Sequence, residues 1–290
     1  MTTTKQKPEY IPHAWEEPPC PVCGDEDHSV VERYGNRKQY TNVLCAGCGL
    51  LYGRPRPTHD EHFLKAAYSD YHLLRDDHKY TDRHIENFRG EVGELLTFDS
   101  KRSAMLDVGC AMGDFLYAAK DAYTTLCGVE VSSKMAEYTR KNLGVTVFEE
   151  RYEDLSTVTS QRFSCIHLSH VIEHIPNPNE WIGAAAKLLE DDGLLIVCVP
   201  HGNSLTRIFK RWLSRIGVRK GKWGPEKTPD HLFLPTIKSM RVLFERNGFN
   251  IENLYTYSRK DMLSESFASR LLNRHLHVGT NLRFYLRKVS

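Results

Sequence analysis

Along this chain, short apolar runs alternate with longer stretches in which apolar positions recur at helical spacing. Ser103 to Val108, Leu126 to Val131, Val145 to Phe148, Phe163 to Ser169 and Leu194 to Val199 each have the length of one buried strand. Between them, Phe115, Leu116, Ala118 and Ala119 begin a helix, Ser132 to Asn142 forms a second and Asn179 to Leu189 a third, stopped by Asp191-Asp192-Gly193. Ile85, Phe88, Val92, Leu95 and Leu96 predict one more helix ahead of the first strand. Met240, Leu243 and Phe244 lead to Arg246-Asn247-Gly248-Phe249, read as a helix, its glycine cap and a sixth strand. Residues 258–275 look helical, and Leu282 to Val289 alternates as a final strand. Strands alternating with helices predict an α/β fold, a mostly parallel Rossmann-like sheet with helices on both faces.

One helical stretch stands apart. Leu205, Ile208, Phe209, Trp212, Leu213 and Ile216 share a face, while Arg207, Lys210, Arg211 and Arg215 occupy the other. Arg219, Lys220, Lys222 and Lys227 follow, offset only by Glu226 and Asp230, so residues 202–230 read as a basic insertion.

The N-terminal part, as far as Thr58, lacks this rhythm. Cys20-Pro-Val-Cys23-Gly24 and Cys45-Ala-Gly-Cys48-Gly49 are two C-x-x-C turns, set slightly further apart than zinc-binding pairs usually are, which lengthens the hairpin between them. Each turn aims two thiolates at one point, and four sulfurs close a tetrahedral zinc shell with no open position for chemistry. Cys20, Cys23, Cys45 and Cys48 are therefore expected to hold a structural Zn2+ in a small N-terminal zinc ribbon. Residues 1 to about 18 are polar and read as loosely ordered, and Arg54-Pro55-Arg56-Pro57 as a stiff connector. The expected organisation is a ribbon over 1–58, a helical connector over 59–100 that includes Tyr68, Tyr71 and Tyr80, and an α/β domain over 101–290. Cys110, Cys127, Cys165 and Cys198 lie in or beside core strands, where free cysteine packs as a small apolar residue.

Composition changes little in this picture. Hydrophobic content of 40% and charged content of 26% suit a globular protein, and a net charge of +2 gives no global pull toward nucleic acid. The N-terminus has no apolar h-region and the longest apolar run is too short for a bilayer, so a cytoplasmic location and no membrane partner are expected.

The candidate chemistry centres on Leu106-Asp-Val-Gly-Cys-Ala-Met-Gly-Asp-Phe-Leu116, a strand, a glycine-bearing turn and a helix start. Such a turn opens the ligand crevice of a doubly wound sheet. G-x-G-x-x-G is absent, and Asp107 beside the turn favours a cationic ligand over a pyrophosphate. Glu130 ends the second strand, close to the separation at which an acid meets ribose hydroxyls in nucleotide-binding α/β folds. Further on stands His170-Val-Ile-Glu173-His174-Ile-Pro-Asn-Pro178.

The D-x-G-C-x-x-G turn, together with Glu173-His174-Ile-Pro and His231-Leu-Phe, resembles the class I S-adenosylmethionine (SAM) methyltransferases. With the cysteine pairs it is similar to the zinc-bearing branch that includes sugar and natural-product enzymes of bacteria. The resemblance covers about residues 101–290 and implies SAM as cofactor, held by Asp107, Gly109, Cys110, Gly113, Glu130 and His170, with Glu153 toward the adenine. It implies a fourth strand ending at the transferable methyl, with His174 as general base, His170 and Glu173 beside it, and His231 and His201 in reserve. Tyrosines of the connector are expected near the cofactor mouth or against the ribbon. Phe163-Ser164 departs from the family's Phe-Asp. The basic insertion lies where similar enzymes build a lid, which points to an acidic or carrier-linked small-molecule substrate. Methyl transfer to such a small molecule, at a hydroxyl, is the expected function. An RNA base methyltransferase clamping RNA with its ribbon is a rival, but Arg33, Arg37 and Lys38 there face Asp25, Glu26, Asp27 and Glu32. A non-catalytic adaptor with a vestigial cofactor fold is the other.

Overall fold

The computed structural model describes residues 14–34, 40–58, 80, 82–215, 231–258 and 279–289 of the 290-residue chain. Its N-terminal module holds five short strands among the described residues: β1 (Trp15–Glu16), β2 (His28–Tyr34), β3 (Tyr40–Cys45), β4 (Leu51–Gly53) and β5 (Arg56–Pro57). β2, β3 and β4 pair antiparallel in sequence order. β1 pairs with β5, Trp15 opposite Pro57, and Arg56 Nε donates to Glu16 Oε1 at 2.6 Å. Of the stretch expected to be loosely ordered, residues 1–13 lie outside the described residues, while Trp15–Glu16 is a strand paired with Arg56–Pro57 of the expected connector. Two separated polar segments tie each other down as a ladder, with Arg56 buried beneath it.

The remaining elements run α1 (Asp82–Leu95), β6 (Ala104–Val108), α2 (Asp114–Ala119), β7 (Thr125–Val129), α3 (Ser133–Leu143), β8 (Thr146–Phe148), α4 (Leu155–Val158), β9 (Phe163–Ser169) and α5 (Pro178–Leu188). They continue as β10 (Leu189–Pro200), α6 (Leu205–Arg215), β11 (Phe233–Leu234), α7 (Ile237–Arg246), β12 (Phe249–Tyr257) and β13 (Asn281–Lys288). Seven strands form one sheet in the order β8-β7-β6-β9-β10-β13-β12. All are parallel except β13, which runs antiparallel to both of its neighbours. The strand order reverses between β6 and β9, and the crevice at their carboxyl ends is where such sheets bind ligands. β10 begins at Leu189 rather than Leu194, because Asp191-Asp192-Gly193 sits within the strand as an irregularity with Asp192 at φ 58°.

One face of the sheet packs against Ile182, Ala185 and Leu188 of α5 and Met240, Leu243 and Phe244 of α7; the other takes Val92 and Leu95 of α1 and Phe115 and Ala119 of α2. Helices on both faces follow from strands that are apolar on both sides. At the fourth-strand position where the sequence departs from its relatives, Ser164 Oγ donates to the buried Asp99 Oδ2 at 3.0 Å. Asp99, from the loop before β6, thus brings a carboxylate to that spot.

The N-terminal module shares the first of these cores, with Cys20, Val22, Val43, Leu50 and Tyr52 in the same cluster as α5 and α7. Its sheet gains a fourth strand from the far end of the sequence, since β11 pairs antiparallel with β4 through Phe233–Tyr52 and Leu234–Leu51. Asn179 Nδ2 donates to the carbonyls of Pro21 (2.9 Å) and Val22 (3.2 Å), and Arg246 donates to that of Cys23 at 2.8 Å. The seam at residue 58 is a change of composition; the packing runs across it.

α6 keeps its helical form, but its apolar side is not buried: Leu205, Ile208, Phe209 and Trp212 are exposed. Tyr68, Tyr71, Ile216, the basic residues 219–227 with Glu226 and Asp230, and the helix expected from 259 onward lie outside the described residues. No described helix is long and apolar enough to cross a membrane.

Candidate active site at the carboxyl edge of the sheet

The turn after β6 is held in a conformation that demands glycine. Gly109 (φ 74°) and Gly113 (φ 80°) are left-handed, and so is Ala111 at φ 48° between them. A Cβ on Gly109 would lie 2.8 Å from Val171 Cγ2, and one on Gly113 the same distance from Leu143 and Thr139. The amides of Gly109 and Cys110 both donate to Val129 O, at 2.8 and 3.1 Å, and Thr139 Oγ1 donates to Ala111 O at 3.0 Å. Tyr80 closes the outer side, its hydroxyl donating to Met112 O at 3.0 Å and its ring stacked on Tyr117 at 4.4 Å. Of the connector tyrosines, Tyr80 therefore borders the glycine turn.

Glu130 follows β7 directly and is buried. Its Oε2 accepts from the Ala111 amide at 3.0 Å and its Oε1 from the Ser132 amide at 2.8 Å. The carboxylate thereby joins the end of the second strand to the glycine turn, and each oxygen retains a lone pair. Burial pushes the Glu130 carboxyl above its usual range, against the two backbone donors that lower it.

Asp107, expected among the cofactor contacts, is tied through one oxygen into a buried network. Its carboxylate is buried and Oδ1 pairs with His167 Nδ1 at 2.8 Å. His167 Nε2 lies 3.4 Å from Glu91 Oε1, and Arg283 Nη2 lies 2.6 Å from the same oxygen. Phe115 stacks on the His167 ring at 3.9 Å. Burial opposes every charge in this chain. Arg283 and His167 nonetheless hold the Glu91 carboxyl down to about 2, and the flanking acids raise His167 well above its usual value. The motif acid is thus the end of a buried Asp107–His167–Glu91–Arg283 network that stiffens the first strand's end. The sequence reading missed His167, Glu91 and Arg283. Polar residues inside otherwise apolar strands and stripes were the available signal.

The turn after β9 carries the remaining candidates. His170 is left-handed at φ 56°, pinned by its amide donating to Cys198 O at 2.9 Å. Its Nδ1 lies 3.3 Å from Glu173 Oε1, while His170 Nε2 and Glu173 Oε2 are buried without partners. Burial alone would raise the Glu173 carboxyl, but His170 and His174 bring it below its usual range. Glu173 therefore orients His170. His174 meets His231 edge to face at 4.5 Å, and one ligating atom from each of Glu173, His174 and His231 falls within 4.8 Å of the others. The Leu232 amide donates to Glu173 O at 2.9 Å, which brings the distant His231 loop to this turn. His201 is buried, with Nδ1 3.0 Å from Gly279 O. Glu153 lies in the 3-10 turn Tyr152–Asp154 after β8 and is ion-paired with Arg151.

At the other end of the shared core, Cys20 Sγ lies 3.5 Å from Cys48 Sγ and Cys23 Sγ 3.4 Å from Cys45 Sγ, all four sulfurs within 4.8 Å of one another. These separations are far beyond a disulfide's and close to the roughly 3.8 Å edge of a tetrahedron with Zn–S bonds of about 2.3 Å. Gly24 (φ 76°) and Gly49 (φ 70°) complete the two turns, donating to the carbonyls of Cys20 and Cys45.

Residues 80–254 match the family described as a methyltransferase domain. Among curated proteins, the chain is 24% identical over 171 residues to a ubiquinone biosynthesis O-methyltransferase of Bartonella tribocorum, covering 57% of this chain and 66% of that one. The match therefore spans just under two thirds of that relative. Among solved structures, a SAM-dependent methyltransferase from Archaeoglobus fulgidus superposes with a TM-score of 0.51 at 14% identity, over 70% of this chain and 94% of the other. Magnesium protoporphyrin IX methyltransferase from Synechocystis, with S-adenosylhomocysteine bound, gives 0.50 at 14% identity over 78% and 96%. At such identities these two share the fold.

Proposed function

The chain belongs to the methyltransferase-domain family as a class I SAM-dependent enzyme, and we propose that it methylates a hydroxyl of a small molecule, a sugar or natural-product intermediate, with His174 taking the proton. The observation that carries this reading is the meeting of two turns that lie far apart in sequence. Val171, in the Glu-His turn, packs so closely on Gly109 that the glycine turn has no room for a Cβ there. Cofactor cradle and candidate base are thereby neighbours. The O-methyltransferase name of the Bartonella relative supports a hydroxyl acceptor.

The residues present fit the cofactor. Gly109 and Gly113 open the backbone, Cys110 lines the turn, and Glu130 offers buried lone pairs suited to two ribose hydroxyls. Glu153 is assigned to the adenine side and His170, with its unpartnered Nε2, to the methionine side. Asp107 supports the turn from below through His167. When bound, SAM supplies a methyl group on a good thioether leaving group. The protein then has two tasks, aligning the acceptor and removing its proton. His174 suits the second, because an imidazole nitrogen can take a hydroxyl proton as a general base. Glu173 fixes His170, and His231 walls the acceptor from the facing loop.

In the N-terminal module, Cys20, Cys23, Cys45 and Cys48 fit a structural Zn2+, since the four sulfurs approach tetrahedral spacing and fill every coordination position.

Transfer of an isotope-labelled methyl from SAM to hydroxyl-bearing sugars and natural-product intermediates, with the product placed by NMR, tests the reading. Methylation on nitrogen or carbon overturns the acceptor assignment. Undiminished turnover in His174→Ala overturns the base and makes His231 the next residue to remove.

A further inference from the structure

We propose that α6 docks this protein on the surface of an anionic lipid bilayer. The proposal is independent of the acceptor's identity. Leu205, Ile208, Phe209 and Trp212 recur on one side of α6 with relative exposures of 60%, 47%, 57% and 53%. Phe209 and Trp212 stack on each other at 5.9 Å. α5 and α7 bury their apolar stripes in the core; α6 presents its stripe to solvent. Contiguous exposed apolar surface of this kind marks an interaction site.

Charge selects the occupant. α6 contains Arg207, Lys210, Arg211 and Arg215 and no acid, and the stretch 202–230 is basic at eight positions and acidic at two. The whole chain is only +2, so everything outside this stretch is net acidic. A second copy of this helix would set like charges against each other across a two-fold axis. An apolar protein groove would not call for so one-sided a flank. An anionic bilayer satisfies both halves: aromatic and aliphatic side chains enter the headgroup boundary, and lysine and arginine meet the lipid phosphates. The location agrees. α6 starts shortly after β10 ends, at the carboxyl edge that carries the candidate active site. Docking through α6 turns that edge toward the bilayer, where an amphiphilic acceptor would partition.

Co-sedimentation of the full chain with phosphatidylcholine vesicles, with and without phosphatidylglycerol, tests this. Binding is expected only to the anionic vesicles and should weaken as salt screens the charges. Phe209→Ser with Trp212→Ser should lower vesicle affinity at least about tenfold, and Lys210→Glu with Arg211→Glu should do the same, with melting temperature and SAM affinity unchanged. No vesicle binding, equal binding to neutral vesicles, or unchanged binding in both variants overturns the proposal. So does a dimer, seen by light scattering, that dissociates in Phe209→Ser with Trp212→Ser while vesicles are ignored. The charge-reversed pair keeps the test decisive should the apolar pair fold poorly.

Discussion

The four thiols of the N-terminal module and the Glu173–His174–His231 group at the end of β9 are both sets of ligating side chains drawn within 4.8 Å. They are built in opposite ways. Each cysteine pair comes from a short turn that closes its own backbone hydrogen bond, and the sulfurs point at one another. His231 reaches His174 from beyond β10 and α6, and a carboxylate oxygen beside them is buried without a partner. A closed set stores structure; an open set keeps donors and acceptors for a substrate. The two are also linked. β4 begins just after Cys48 and pairs with β11, which begins just after His231. The thiol module therefore steadies the loop that completes the open set.

The largest effect expected from breaking this contrast is loss of the Zn2+ proposed at the four thiols. Structural zinc contributes apparent binding energies of about 10–16 kcal/mol in small metal-folded domains. Cys23→Ser is therefore expected to lose Zn2+ and unfold the N-terminal module, read by metal analysis and calorimetry. Because β11 leans on β4, turnover should drop with it while SAM affinity changes less. A metal-free protein of full stability would show that the thiols are not a closed metal shell.

Next comes the open set. His174→Ala should keep the fold and SAM affinity but lower kcat by roughly 10²–10⁴ in steady-state kinetics at saturating SAM. If turnover survives within a few-fold, the proton goes elsewhere and the contrast loses its catalytic half.

A smaller effect is expected at Glu130, which sharpens the boundary between cofactor cradle and base. Glu130→Ala forfeits two charge-assisted hydrogen bonds, each worth about 1.5–3 kcal/mol, so SAM affinity should fall at least about tenfold in calorimetry. kcat at saturating SAM should change less than in His174→Ala.

The smallest effect is a pH dependence. Burial raises the Glu130 carboxyl, so on acidification it takes up its proton at a higher pH than an exposed glutamate does. Protonation turns an acceptor oxygen into a donor that the ribose hydroxyls do not need. SAM affinity of the unaltered protein should therefore begin to decline above the ordinary carboxylate range, and Glu130→Gln should flatten that decline. A titration that breaks only at the ordinary value would place Glu130 outside the cofactor contact.

Local order decided much of this molecule. The cysteine pairs, the Gly109–Gly113 turn, Phe163–Ser169 as the fourth strand and the helix before Gly144 were legible in the sequence, because period, capping and turn chemistry act over a few residues. Tertiary structure alone decided the rest. The Asp107–His167–Glu91–Arg283 network draws on α1, two central strands and the last strand, and no window of sequence pairs them. β11's place in the N-terminal sheet, which carries His231 to His174, is likewise a long-range pairing. α6 shows the division most plainly. Its spacing states that an apolar stripe exists, but whether a stripe is covered depends on what the rest of the chain brings over it, and here the described residues leave it exposed.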